Sequence, residues 1–447
     1  MQLHEAAHAL NAVAIGADVA FDIVSSDSRA LPRGCLFVAL KGPRFDGHGY
    51  AAQALAQGAA AVMVEAGAGL EVAPALVVDD SRLGLGRLAA WHRARMPAKI
   101  AAITGSNGKT TVKEMLAAIL AAEAGEGAVL ATVGNLNNDI GVPLTLLRLT
   151  PAHRYAAIEM GMNHLGEIAY LTELARPDVA LVNNALRAHL EGLGSVEAVA
   201  RAKGEIFSGL KDDGIAIINA DDPHADYWRG LAGQHQVLSF GNAATADVRL
   251  MPDAVRFILE TPMGRIDTVL RVPGEHNRRN AAAAATVALA LGTPVAAVAR
   301  GLAAYSGSKG RLQVHDCILG ATLIDDSYNA NPDSVLAAIQ VLAARPGRRI
   351  LVLGDMGELG PEAAALHREV GERARKAGID RLLCLGELSI NAAQGFGQGA
   401  MHFERIEEML AEIECALGVD VTVLVKGSRF MKMERVVQSF VENQQCS

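Results

Sequence analysis

The run Ile103-Thr104-Gly105-Ser106-Asn107-Gly108-Lys109-Thr110-Thr111 constrains this chain more than any other. An apolar stretch, residues 99–103, leads into it, and a helical pattern over 112–122 follows. Strand, glycine-rich turn and helix in that order make a phosphate-binding loop. Successive backbone N–H groups turn inward, and the helix adds the positive end of its dipole. Lys109 would reach the outer phosphates of a nucleoside triphosphate, and the Thr110 hydroxyl would ligate magnesium. The general pattern has a glycine five residues before the GK pair; here that position is Ile103, and the glycine is Gly105. A plain glycine turn with an exposed lysine does not explain three polar functions, Lys109, Thr110 and Thr111, at a helix start.

The same alternation of strand and helix runs through most of the chain, which predicts α/β domains with largely parallel sheets. Central strands are expected at 100–104, 155–160, 180–184 and 215–219. Their ends carry the loop, Glu159, Asn183-Asn184 and Asn219-Ala220-Asp221-Asp222. Further strands are expected at 322–326, 350–353, 382–385 and 421–426, again ending in polar residues. Ligands of open α/β sheets sit beyond such carboxyl ends. The 447 residues suggest two to four domains. Breaks at Met96-Pro97-Ala98 and at the polar stretch 307–310 give three blocks, 1–96, 97–309 and 310–447.

Composition removes other classes. A net charge of −8 without a basic block disfavours nucleic acid. Five scattered cysteines, odd in number and without a CxxC pair, point to a reducing compartment, the cytoplasm. The first residues show no cationic leader. The apolar run 281–299 contains Gly292, Thr293 and Pro294, so it reads as a buried helix, a turn and a second helix rather than a membrane span. Gly354, Gly357 and Gly360 have the wrong spacing for a dinucleotide fingerprint.

Four residues are candidates around the loop. Glu159 ends a strand and could hold magnesium, or be a solvated strand end. His189 could be a ligand or a structural histidine. Lys203 reads by itself as a helix-surface lysine. Arg311 could cross a cleft to the terminal phosphate, or form a hinge salt bridge.

Taken together these pieces resemble the Mur ligase family over nearly the whole chain. GSNGKTT at 105–111 looks like the family's ATP loop, displaced glycine included. Glu159 in IEMG, His189 in AHLEG, Lys203 in ARAKGEIF, Asn277 and Asn280 in GEHNRRN and Arg311 in GRLQV follow the family's order. TVGNLNNDIGVPLTLL at 132–147, EMGMNHLGEI at 159–168, DDSYNANPDS at 325–334 and KGSRFMKME at 426–434 are similar to the branch that adds D-alanyl-D-alanine. The DNPR and AHTPD-like segments of its amino-acid-adding sibling are absent, and residues 26–50 resemble a UDP-substrate domain.

The resemblance implies an N-terminal UDP-substrate-binding α/β domain, a central P-loop ATPase-like domain and a C-terminal Rossmann-like domain. It implies ATP and two magnesium ions, with Thr110, Glu159, His189 and a carbamylated Lys203 as ligands. Gly105 to Thr111, Asn277, Asn280, Arg311 and Asp325 would hold the nucleotide. Lys109, Glu159, His189, Lys203 and Arg311 would carry the chemistry. Ser28, Arg29, Phe45, Asp46, Gly47 and His48 would take UDP-N-acetylmuramoyl-tripeptide. Tyr328, Asn329, Asn331, Lys426, Ser428 and Arg429 would take D-alanyl-D-alanine. Bulky Phe430 and Met431 depart from the family's usual small residues beside that pocket. The expected protein is a cytoplasmic monomer that makes an acyl phosphate and then an amide. Alternatives are another amide ligase of the superfamily, such as a folylpolyglutamate synthetase, or a P-loop kinase; no NKxD guanine-reading motif is present.

Overall fold

The computed structural model describes residues 1–253 and 255–441; Cys446 lies outside them. Three main sheets follow one another along the chain. The first has five strands in the order Val13–Ile15, Ala75–Val78, Ala61–Glu65, Leu36–Val38, Val24–Ser25. The middle sheet has nine strands. Its seven parallel strands run Val248–Met251, Gln236–Gly241, Ile215–Asn219, Val179–Val182, Lys99–Thr104, Tyr155–Glu159, Val129–Ala131. Two antiparallel strands, Phe257–Thr261 and Gly264–Thr268, extend it. The third sheet has six strands in the order Gln313–Asp316, Thr322–Asp326, Val421–Lys426, Arg348–Gly354, Arg381–Leu385, Ala400–Phe403, with only the first antiparallel. The expected α/β class with mostly parallel sheets is what the chain forms.

The central strands are apolar throughout because both their faces are covered. Alternate residues supply two different cores. Ile100, Ala102, Ile158 and Val182 face one side, and Ala101, Ile103, Ala157 and Leu181 the other. The second side is packed by the helices Lys109–Ala124, Glu275–Ala290 and Val295–Ala304. The last two are the helix, turn and helix expected from the alanine-rich run, and Ala281 to Ala285 are fully buried. No helix among the described residues is long and apolar enough to cross a membrane.

The loop helix starts at Lys109, at the polar run expected to open it and three residues ahead of the apolar pattern at 112. Its first turn is polar because it faces the site, so apolar periodicity cannot find it. Sequence pattern also missed Val129–Ala131, Gln236–Gly241, Val248–Met251 and the antiparallel pair, which are short or lie toward the sheet's edges.

In the middle sheet the chain starts at the centre, passes to one edge, and returns to the other side of the first strand. That reversal opens a crevice at the carboxyl end of Lys99–Thr104. The third sheet presents its own carboxyl ends, Asp326, Gly354 and Lys426, across from it. Between them lies a cavity of about 1260 Å³.

Candidate active site

The phosphate loop is shaped by its glycines and by the amides packed on it. Gly108 has φ +83, and a Cβ there would lie 2.3 Å from Asn280 Oδ1. Asn183 Nδ2 donates to Asn280 Oδ1 (3.0 Å) and to Asn107 O (2.9 Å). Asn280 Nδ2 in turn donates to Asn277 Oδ1 at 3.3 Å. The Lys109 ammonium donates to Gly105 O at 2.6 Å. Burial pushes its pKa down, and the nearby Glu159 charge opposes that.

Thr110 and Glu159 meet at the start of the helix. Strand register places Glu159 opposite Ile103, at the mouth of the loop. The Thr110 hydroxyl donates to Glu159 Oε2 at 2.8 Å, and Asn137 Nδ2 donates to Oε1 at 2.8 Å. The Glu159 backbone N–H is fixed by Thr132 Oγ1 at 3.0 Å. A carboxylate only 2 % exposed is thus held in one orientation. Arg311 reaches the same point from the far side. Its Nη2 donates to Thr110 Oγ1 at 2.9 Å, and its guanidinium lies 4.3 Å above the Tyr328 ring. Among the described residues no group of three or more His, Cys, Asp or Glu is placed to hold a metal. An ion here would have few protein ligands and keep water and phosphate oxygens, which suits magnesium on a nucleotide.

His189 sits at φ +57 and lines the cavity, with Nδ1 2.7 Å from Glu358 Oε2 but off hydrogen-bond alignment. That contact holds the Glu358 carboxyl below its usual range. Lys203 is the unusual group. It is 0 % exposed, and its Nζ has no hydrogen-bond partner. Burial first, and the Lys109 charge second, drive its pKa far below that of an ordinary lysine. It is not among the residues that line the cavity.

The third sheet brings Tyr328, Asn329, Asn331, Lys426, Ser428, Arg429 and Phe430 to the cavity. Lys426 Nζ donates to Asp326 Oδ2 (2.6 Å) and Asn329 O (2.9 Å), and Ser428 Oγ donates to Ala330 O (3.0 Å). Asn331 also docks the two blocks on each other. It caps the helix Pro332–Ala343 and exchanges amide bonds with Asn107, Nδ2 to Oδ1 at 2.7 Å and back at 3.2 Å. Met431 turns away and packs on the third sheet's core.

Two groups of expected site residues lie off the wall of this cavity. Asp325 does not line the cavity, and its Oδ1 accepts from the Ser327 hydroxyl at 2.5 Å. Neighbouring residues of a strand face opposite sides, so Asp326 takes the cavity side. Ser28, Arg29, Phe45, Asp46, Gly47 and His48 stand away from this cavity, whose wall takes only Arg82 and Leu83 from the first block. Arg29 is paired with Asp27 (Nη2 to Oδ2, 2.8 Å), and Phe45 is 61 % exposed. His48 is fixed by its neighbours: Glu65 N–H donates to Nε2 at 3.0 Å, and Nδ1 lies 2.6 Å from Asp46 Oδ1.

Sequence reasoning missed Glu358, Asn137 and the cluster of Arg187 with Asp333 and Glu369 (both 2.7 Å). Asn137 sits in a motif that drew attention, two residues before Asp139. Glu358 carries no local signal, because its partner is far away in sequence.

The chain's relatives bear directly on this geometry. Residues 20–99 match the Mur ligase family catalytic domain, 103–288 the Mur ligase middle domain, and 310–429 the Mur ligase glutamate ligase domain. The UDP-N-acetylmuramoyl-tripeptide–D-alanyl-D-alanine ligase of Escherichia coli (strain K12) is 48 % identical, covering 98 % of this chain and 97 % of that one. The ligase of the same name from Bacillus subtilis (strain 168) is 34 % identical, covering 94 % and 93 %. Among solved structures, MurF from Acinetobacter baumannii aligns with a TM-score of 0.91 at 36 % identity, covering 98 % of each chain. MurF from Thermotoga maritima in complex with ADP aligns with a TM-score of 0.82 at 28 % identity, covering 93 % and 96 %.

Proposed function

The chain belongs to the Mur ligase family, and on that premise we propose that it joins D-alanyl-D-alanine to UDP-N-acetylmuramoyl-tripeptide with ATP, giving ADP, phosphate and the UDP-linked pentapeptide precursor of peptidoglycan. One observation carries the reading. Glu159 from the middle sheet and Arg311 from the far side converge on the hydroxyl of Thr110, at the start of the phosphate-loop helix.

The tripeptide carboxylate attacks the γ-phosphorus in line, forming an acyl phosphate as ADP leaves. Two anions must approach, so Lys109 exchanges its loop carbonyls for phosphate oxygens and Arg311 faces the transferred group. Magnesium would neutralise phosphate charge here: Thr110 and Glu159 would hold one ion, and His189 with a carbamylated Lys203 a second. Lys203 fits a carbamate. A buried amine with no partner, its pKa pushed well down by burial, is open to carbon dioxide, and the product is an anionic oxygen ligand where an ammonium would repel an ion. The dipeptide amine, held among Tyr328, Lys426 and Arg429, then attacks the acyl carbon, and phosphate leaves. Asn277 and Asn280 bear on the adenine, and Ser28, Arg29 and the 45–48 turn hold the UDP end, away from the cavity. Water would hydrolyse the acyl phosphate, so the blocks 1–96, 97–309 and 310–447 enclose it. The protein acts as a cytoplasmic monomer.

The test is an end-point assay with UDP-tripeptide, ATP and D-alanyl-D-alanine, read by product mass. A pentapeptide product is expected, and hydroxylamine should trap the tripeptide as a hydroxamate. Phosphate release stimulated by a single amino acid, but not by the dipeptide, would refute this choice of substrate.

A further inference from the structure

We propose that Arg82 and Asp139 read the far end of the third residue's side chain in the tripeptide, selecting a zwitterionic amino-acid head over a lone ammonium. The proposal rests on the ligase reading and names the substrate class within it.

Arg82 Nη1 and Asp139 Oδ2 lie 3.0 Å apart across the cavity wall, with side chains 47 % and 32 % exposed. Arg82 and Leu83 are the only residues before the loop strand on that wall among the described residues. A peptide running from a UDP end held by the first block to the phosphate loop passes them. The pair also lies close to the chemistry. Asp139 is two residues, at most about 7 Å of chain, from Asn137, which holds Glu159. The third residue's carboxylate is the group activated beside Glu159 and Thr110. Its side chain therefore starts near Asn137, and a chain of three methylenes carries its tip to Arg82 and Asp139.

The charges suit one tip better than another. A partly exposed pair contributes little to stability, so it exchanges partners cheaply. A head bearing both an ammonium and a carboxylate, as in diaminopimelate, replaces both halves. The carboxylate takes the fork of Arg82, and the ammonium takes Asp139. Lysine brings only the ammonium; it satisfies Asp139 and strips Arg82 of its partner. Because the site is partly wet, the discrimination is about two- to fivefold rather than the far larger ratios of sealed pockets.

The experiment measures kcat and KM for UDP-tripeptides ending in meso-diaminopimelate or L-lysine, in the intact wild-type protein and in Arg82→Met, Arg82→Lys and Asp139→Asn. Wild type should favour the diaminopimelate substrate about two- to fivefold in kcat/KM. Arg82→Met should abolish the preference through a raised KM for that substrate alone, with KM for ATP unchanged, and Arg82→Lys should restore part of it. Asp139→Asn should weaken both substrates. Equal losses for both substrates in Arg82→Met, or a wild-type preference for lysine, would overturn the proposal. If wild type releases phosphate with neither tripeptide, the ligase reading fails and takes this proposal with it.

Discussion

The first and third sheets join the middle one by different chemistry. On the first side one apolar core runs without interruption from Leu3 to Ala232. Leu85 and Leu88 on the helix Ser81–Ala94 are fully buried in it, and Gly86 admits the Tyr170 hydroxyl so closely that a Cβ would lie 2.0 Å away. Arg93 Nε donates to Ala175 O at 3.0 Å and closes the seam. On the other side, the two cores of the third sheet take only Leu190 from the middle block among the described residues. The seam's other named contacts are mostly polar: Arg187 with Asp333 and Glu369, Asn107 with Asn331, His189 with Glu358, Arg311 with Thr110. Parting the first seam exposes apolar surface, at about 25 cal/mol per Å². Parting the second trades protein hydrogen bonds and partly exposed ion pairs for water, at about 1 kcal/mol for each contact. The third sheet is therefore held by the weaker seam, the side freer to move, and Arg311 just precedes its first strand.

The comparison can be tested from both sides. The largest effect should come from the fixed side. Lys203→Ala should lower kcat about 10²–10³-fold with the melting temperature maintained, and a short added carboxylic acid should restore part of it; full activity would remove the carbamate role. On the moving side, Arg311→Ala should lower kcat by about 10²-fold with denaturant stability unchanged, measured by phosphate release beside urea unfolding. Gly86→Ala should do the reverse, costing about 1–3 kcal/mol of stability by overpacking; an unchanged unfolding midpoint would show that the apolar seam yields.

Two smaller effects concern the polar seam. His276, near Lys426 and Arg279, is pushed down from 6.5 to about 4, first by burial and then by those charges. The unfolded chain takes up a proton that the folded one refuses, so this contribution is present above pH 6.5 and lost as pH falls toward 4. Denaturation at pH 7 and pH 5 should show a smaller loss in His276→Gln than in wild type. Arg187→Ala should cost at most about 1 kcal/mol, while making the KM for ATP less sensitive to salt.

Much of the site was legible because it is local. The loop, Glu159 and Lys426 are strand-end or turn residues, and a strand end declares itself in sequence. The seams were not. Arg187 meets Asp333 across 146 residues and Asn107 meets Asn331 across 224, so no local pattern links either pair. Asp325 and Asp326 are chemically alike, and only the parity of their strand decides which faces the cavity. Lys203 looked like a surface lysine because burial depends on what packs over it.

The reciprocal amides of Asn107 and Asn331 are hydrogen-bonded without charge and without a titrating proton. Neither ionic strength nor acidity acts on them, whereas both act on the ionic contacts alongside. The grip between the phosphate loop and the third sheet therefore has a constant part and an adjustable part. The surrounding medium can turn the second up or down, but it has no handle on the first.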